Sequence, residues 1–111
     1  MKVSEILEKY VAGLNAQDAD AIAELYAEDS SFVDGGARLQ DFDDVVADGR
    51  EGIRAAFKGV FEQFKVKATI IKLNPNSMEY DVELAGIVIP CIGAATCDEE
   101  GKIKEYIVRP R

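Results

Sequence analysis

Apolar side chains set the first element. Val3, Ile6, Leu7, Tyr10, Val11 and Leu14 recur at the spacing of one helical face, with Ser4 as the expected N-cap. A second helix follows at once, capped by Asp18, with Ile22, Leu25 and Tyr26 as its apolar stripe. So short a joint predicts a helical hairpin. Ser31–Asp34 then alternates as a short strand stopped by Gly35-Gly36, and alternation puts Phe32 and Asp34 on one face. A long acidic loop runs to Asp48. Asp48 and Glu51 match the two ends of a capping box for a third helix. That helix carries Ile53, Ala56, Phe57, Val60, Phe61 and Phe64 on one side.

The remainder reads as strand. Lys65–Leu73 ends at the turn Asn74-Pro75-Asn76. Met78, Tyr80, Val82 and Leu84 alternate with Glu79, Asp81 and Glu83, so that strand is half-buried. Gly86 marks a turn. Ile87–Cys97 is apolar on both faces, which predicts a central strand with helices on one side and a cavity on the other. Pro90 inside it implies a bulge or an unpaired position. Asp98-Glu99-Glu100-Gly101 turns the chain into a last strand, Lys102–Arg109. The order is ααβαββββ: an α+β fold of three early helices packed on a strongly curved, mostly antiparallel sheet. Such a sheet leaves a pocket toward which Tyr10, Phe32, Asp34 and Phe57 point.

Composition narrows the function classes. A chain of 111 residues, 48% hydrophobic and without a linker or repeat, is expected to form one domain spanning residues 1–111. The net charge of −8 makes nucleic acid and anionic membrane poor partners. The longest apolar run, Leu84 to Ala95, contains Pro90 and falls short of the ~20 residues of a membrane span. The N-terminal MKVSEILEKY carries acids where a secretion signal is apolar, so a cytoplasmic protein is expected. Asp41, Asp43, Asp44 and Asp48 read as a solvated loop, since the ligand spacing of a calcium loop is absent. Cys91 and Cys97, roughly 20 Å apart on a straight strand, are too distant for a disulfide and read as small buried hydrophobes. Histidine is absent, which excludes histidine-based triads, histidine-ligated metals and a histidine base. No metal and no cofactor are expected.

Two polar groups interrupt the apolar faces. Tyr10 lies on the stripe of the first helix and Asp34 on the inward face of the first strand. A carboxylate in an apolar hollow has its charged form disfavoured, and a phenol beside it can donate to a ligand oxygen. Together they are a minimum set for moving a proton next to a carbonyl. Each has a plainer reading. Tyr10 fits as an interfacial tyrosine bonding any polar atom in reach. Asp34 fits as a turn residue bonding the Gly35-Gly36 backbone, or as an ion-pair partner of Arg109 or Lys104.

The run EKYVAGLNAQDADAIAELYAEDSSFVD, then DGREGIRAAF, then DEEGKI, resembles the bacterial ketosteroid isomerases of the NTF2-like, or SnoaL-like, superfamily across nearly the whole chain. The resemblance implies a cystatin-like cone of sheet around a deep pocket, a small apolar ligand and a homodimer formed through the sheet. It implies that Tyr10 donates to a developing oxyanion, that Asp34 shuttles the proton, and that Tyr26 supports Tyr10. It sets Phe57 where some members have another supporting tyrosine. Phe32, Phe57, Phe61 and Gly93 fall on the implied ligand wall. Gly93 stands where the isomerases have a neutral acid as second oxyanion donor. Losing one such donor typically costs about 100- to 1000-fold in rate. An isomerase-like enzyme and a non-catalytic ligand-binding or association module are the two functions in view. Dehydratase and aldol-cyclase members depend on histidine, and no strand presents the Asp-Arg-Asp set of the epoxide hydrolases.

Overall fold

The computed structural model describes Met1–Arg111. Helix α1 spans Val3–Ala16 and α2 Ala19–Ala23; strand β1 runs Tyr26–Asp34 and β2 Val45–Asp48. Helix α3 covers Gly49–Gln63, followed by β3 Lys67–Leu73, β4 Ser77–Leu84, β5 Ile87–Cys97 and β6 Ile103–Pro110. The six strands form one sheet in the order β2-β1-β6-β5-β4-β3. Only β1 and β6 run parallel; the other neighbours are antiparallel. Helices α1 and α3 pack on the sheet, and α2 packs on both of them. Helix α1 lies against β3, β4 and β5, and α3 against β1 and β2.

The expected α+β architecture is present, with one strand more than expected. Val45–Asp48 does not belong to a loop but pairs with Ser31–Asp34 at the sheet edge. Its signal is only four residues long and sits behind three aspartates, Asp41, Asp43 and Asp44. The first strand begins at Tyr26 rather than Ser31, because its pairing with β6 is irregular between Tyr26 and Ser31 and breaks the alternation there. Tyr26 is therefore a strand residue and not part of the α2 stripe. Pro90 lies in a regular stretch of the β4–β5 ladder. Its carbonyl accepts from the Arg111 N–H, so its missing N–H faces the residue just past the end of β6.

The LN-x-x-D stretch after Gly13 has a mechanical explanation. Asn15 holds Ala68 of edge strand β3 through two backbone bonds, 2.7 Å from the Ala68 N–H and 3.0 Å to its carbonyl. Gln17 Oε1 accepts from the Val66 N–H at 2.7 Å. Asp18 caps α2 by accepting from the Ala21 N–H at 3.0 Å. Two other expected caps are not formed. Lys2, not Ser4, caps α1, with Glu5 accepting from the Lys2 backbone N–H. Asp48 precedes α3 without a side-chain bond, because Glu51 turns to Arg54 instead. Arg54 also reaches Asp20 and Glu24, tying α3 to α2 across the surface.

The core is a cluster of Ile6, Leu7, Ile22, Ile53, Met78, Ile103 and neighbouring side chains with almost no exposure. Strand β5 turns Ile89, Cys91, Gly93 and Ala95 inward. Its other face is not covered: Val88 is 52% and Ile92 36% exposed, on the side where pairing of two copies was expected. The cavity shares the helix-covered face, so β5 is apolar on both faces without being covered on both. Cys91 is buried and Cys97 only partly so, and both are free thiols.

Gly13 is where α1 and α2 touch. A Cβ there would meet Ile22 Cγ1 at 2.7 Å, and Ile22 is fully buried. Gly52 on α3 has nothing within 4 Å of the same position. Gly52→Ala should therefore raise stability by about 0.5–1 kcal/mol. Gly13→Ala should lower it by about 1–2 kcal/mol despite the same gain in helix propensity. Urea unfolding of the two variants checks this; equal gains would show that the helix contact is loose.

Candidate functional site

A hollow of about 170 Å³ opens between α3, the β1–β2 hairpin and the inner face of the sheet. An engineered apolar cavity of about 150 Å³ holds a benzene. This one is thus sized for a single ring, below the roughly 300 Å³ at which drug-sized sites begin. Helix α3 supplies Ala56, Phe57, Val60 and Phe61, and Phe64 follows at its C-cap. Phe42, Asp43 and Val45 stand at the side of the hairpin.

Tyr10 and Asp34 both border this hollow, as do Phe32, Phe57 and Phe61. The aromatic rings pack on one another. Tyr10 and Tyr106 have centroids 4.7 Å apart, Phe32 and Phe57 5.2 Å, and Phe57 and Phe61 5.8 Å. Tyr26 does not border the hollow. It sits behind Tyr10, and the two hydroxyls share a hydrogen bond of 2.8 Å. Burial, then the neighbouring phenols, push the Tyr10 hydroxyl well above its ordinary range. Tyr10 is therefore a neutral phenol at every physiological pH, able to donate.

Asp34 ends β1 where Gly35-Gly36 turn the chain. Its Oδ1 accepts from the Gly36 N–H at 2.8 Å. That is the expected turn contact, and it leaves the second carboxylate oxygen without a protein donor. Neither expected ion pair forms: Lys104 turns to Asp29, and Arg109 lies exposed with no carboxylate partner. Burial raises the Asp34 carboxyl above its ordinary value, the Gly36 bond pulls it back, and nearby Asp44 raises it again. Gly36 has to be small. A Cβ there would lie 2.7 Å from Cys91 Sγ and 3.0 Å from Asp34 Oδ1. The Cys91 thiol is pushed up to about 12, by burial and then by Asp34, and is an inert neighbour.

Gly93 needs a correction. It does not line the hollow, because the Tyr106 ring covers it. A Cβ on Gly93 would collide with the Tyr106 hydroxyl. Tyr80 and Tyr106, which the sequence reading did not single out as site residues, both border the hollow instead. The Tyr106 hydroxyl donates to that of Tyr80 at 3.2 Å. Tyr80 was already on the inward face of its strand by alternation. Tyr106 had its own cue, a large ring two positions from Val108 facing the smallest residues of β5.

The acidic stretch after Asp34 forms no metal site; no group of three or more possible ligands comes together anywhere in the chain. Asp44 is instead clasped by Arg38, whose Nε and Nη2 reach its two oxygens at 2.8 and 2.6 Å. No helix is long and apolar enough to cross a membrane.

Comparison with known proteins agrees with the fold. The SnoaL-like domain model matches residues 7–106. No curated protein matches the chain. Among solved structures, an NTF2-like protein of unknown function from Cytophaga hutchinsonii superposes with a TM-score of 0.74. It is 18% identical, over 100% of this chain and 91% of that one. At that identity the likeness concerns the fold alone.

Asp34 has a thermodynamic consequence. A carboxyl with a raised value in the folded state binds its proton more tightly there than in the unfolded chain. Its contribution to stability is present below the unfolded value and is lost as pH rises through the folded one. Asp34→Asn keeps an oxygen for the Gly36 N–H and carries no charge. The variant should gain on the parent as pH rises from about 3 to neutrality, then run parallel to it. Thermal unfolding across that range checks the sign; a variant that loses ground with rising pH would mean a stabilising carboxylate.

Proposed function

Because the chain belongs to the SnoaL-like domain family, we propose that its hollow moves a proton next to the carbonyl of a small ring ketone. The arrangement of Tyr10 and Asp34 on one apolar cavity carries this reading. Asp34 takes a proton from the carbon α to the carbonyl, and its desolvated carboxylate is the stronger base for its surroundings. Tyr10 donates to the oxygen on which negative charge develops; this uses Tyr26 as the donor in the 2.8 Å bond that the two hydroxyls share. The protonated Asp34 returns its proton to the same carbon or to the γ carbon of the enolate. In the second case a β,γ-unsaturated ketone becomes its conjugated isomer with no net change in atoms. The size of the hollow favours a one-ring ketone; a steroid would extend far outside it.

A second reading keeps the ligand and drops the chemistry: a binding module of the same fold. The absence of a carboxylic acid at Gly93 favours it, since one expected oxyanion donor is missing.

Conversion of cyclohex-3-enone to cyclohex-2-enone, followed by absorbance of the conjugated product, separates the two. Turnover above buffer is expected for the unaltered protein. Asp34→Asn should lower it by about 100- to 10,000-fold, and Tyr10→Phe by about 100- to 1000-fold. Tight binding of ring ketones without conversion would leave the module reading standing. Conversion untouched by Asp34→Asn would remove Asp34 as the base.

A further inference from the structure

The chain has four tyrosines, all buried: Tyr10, Tyr80 and Tyr106 border the hollow and Tyr26 sits behind Tyr10. They form two hydroxyl pairs, Tyr10 with Tyr26 and Tyr106 with Tyr80. Each pair holds two O–H groups and a single hydrogen bond, so each leaves one proton unspent. None of the four hydroxyls has any other hydrogen bond within the protein. In the first pair either hydroxyl can donate; with Tyr26 as the donor, the spare proton is that of Tyr10, which borders the hollow. In the second pair Tyr106 donates to Tyr80, so the spare proton falls to Tyr80, which borders the hollow. Besides the tyrosines, Asp34 and Asp43 are the only polar side chains on the lining, and neither bonds a tyrosine hydroxyl.

We propose that Tyr80, held in place by Tyr106, is a second hydrogen-bond donor to the ligand oxygen beside Tyr10, and that this pair of phenols selects a carbonyl. Gly93 makes the arrangement possible. Its lack of a Cβ admits the Tyr106 ring, and a phenol from β6 thereby occupies the space where a side chain at 93 would begin. A ketone oxygen offers two lone pairs and no proton, which matches two donors in a dry wall. A carboxylate ligand would bring a second negative charge next to Asp34 and would lose its hydration without a cationic partner. Burial and the surrounding phenols keep Tyr80 neutral, so the donor persists across the working pH range. Tyr106 acts through Tyr80 and is a positioning residue; Tyr80 is the one that would touch ligand.

The inference rests on the hollow being a carbonyl site, but its test measures binding and not turnover. Failure of Asp34 as a base would thus appear separately, in enone conversion. The probes are cyclohexanone, labelled with 13C at the carbonyl, and methylenecyclohexane, which has the same outline and no oxygen. Tyr80→Phe should weaken cyclohexanone by about 3- to 10-fold. It should move the bound carbonyl resonance upfield, as expected for one hydrogen bond fewer. Methylenecyclohexane affinity should stay within about twofold, which also shows that the variant is folded. Tyr106→Phe should give a smaller change in the same resonance. Equal weakening of both probes, an unmoved carbonyl resonance in Tyr80→Phe, or no binding of cyclohexanone to the unaltered protein would overturn the proposal.

Discussion

One constraint organises the inner face of this fold: a carboxylate must sit at the edge of an apolar hollow with a single N–H to hold it. Asp34 has the Gly36 amide and no cation. The chain meets the cost through local geometry. Two glycines follow Asp34, and Gly36 approaches so closely that any side chain there would strike Cys91 and the carboxylate. The hairpin beyond them returns as β2 and is fastened by the Arg38–Asp44 pair at its exposed side. The cation nearest to Asp34 along the chain is thereby engaged elsewhere. A solvated turn aspartate would need none of this.

The remaining polarity of the hollow is phenolic. Tyrosine is the residue that can fill aromatic space and still present a donor. With histidine absent and Cys91 held as a thiol, tyrosine is the neutral acid available on this face. The rings serve packing and polarity together. Tyr106 stacks at 7° on Phe32 while its hydroxyl reaches Tyr80. Tyr10 meets Tyr26, Phe57 and Tyr106 while its hydroxyl shares a bond with that of Tyr26. Stability and ligand recognition draw on the same atoms here, so variants must be read against an oxygen-free ligand.

Much of this was legible along the chain because period and burial coincide. The stripe of α3, the alternation of β4 and the two ends of β5 are long, regular signals. Tyr10 and Asp34 stood out because each broke an apolar face, and both do border the hollow. What was hidden depended on pairing between distant segments. Strand β2 is short and screened by aspartates. The start of β1 is bulged. Tyr26 changed element because its pairing with β6 lies beyond that irregularity, where alternation is lost. The role of Gly93 could not be read from position 93 alone, since the space above it is filled from β6. A vacant position in one strand is informative only once its neighbour in the sheet is known.

The account depends on Asp34 being drier than an ordinary aspartate. The direct measurement is a pH titration of the Asp34 side-chain carboxyl by 13C NMR in the unaltered protein, assigned with Asp34→Asn. A midpoint clearly above the usual 3.8 is what burial requires. A midpoint at or below 3.8 would place the carboxylate in water or against a cation, and the hollow would hold no base.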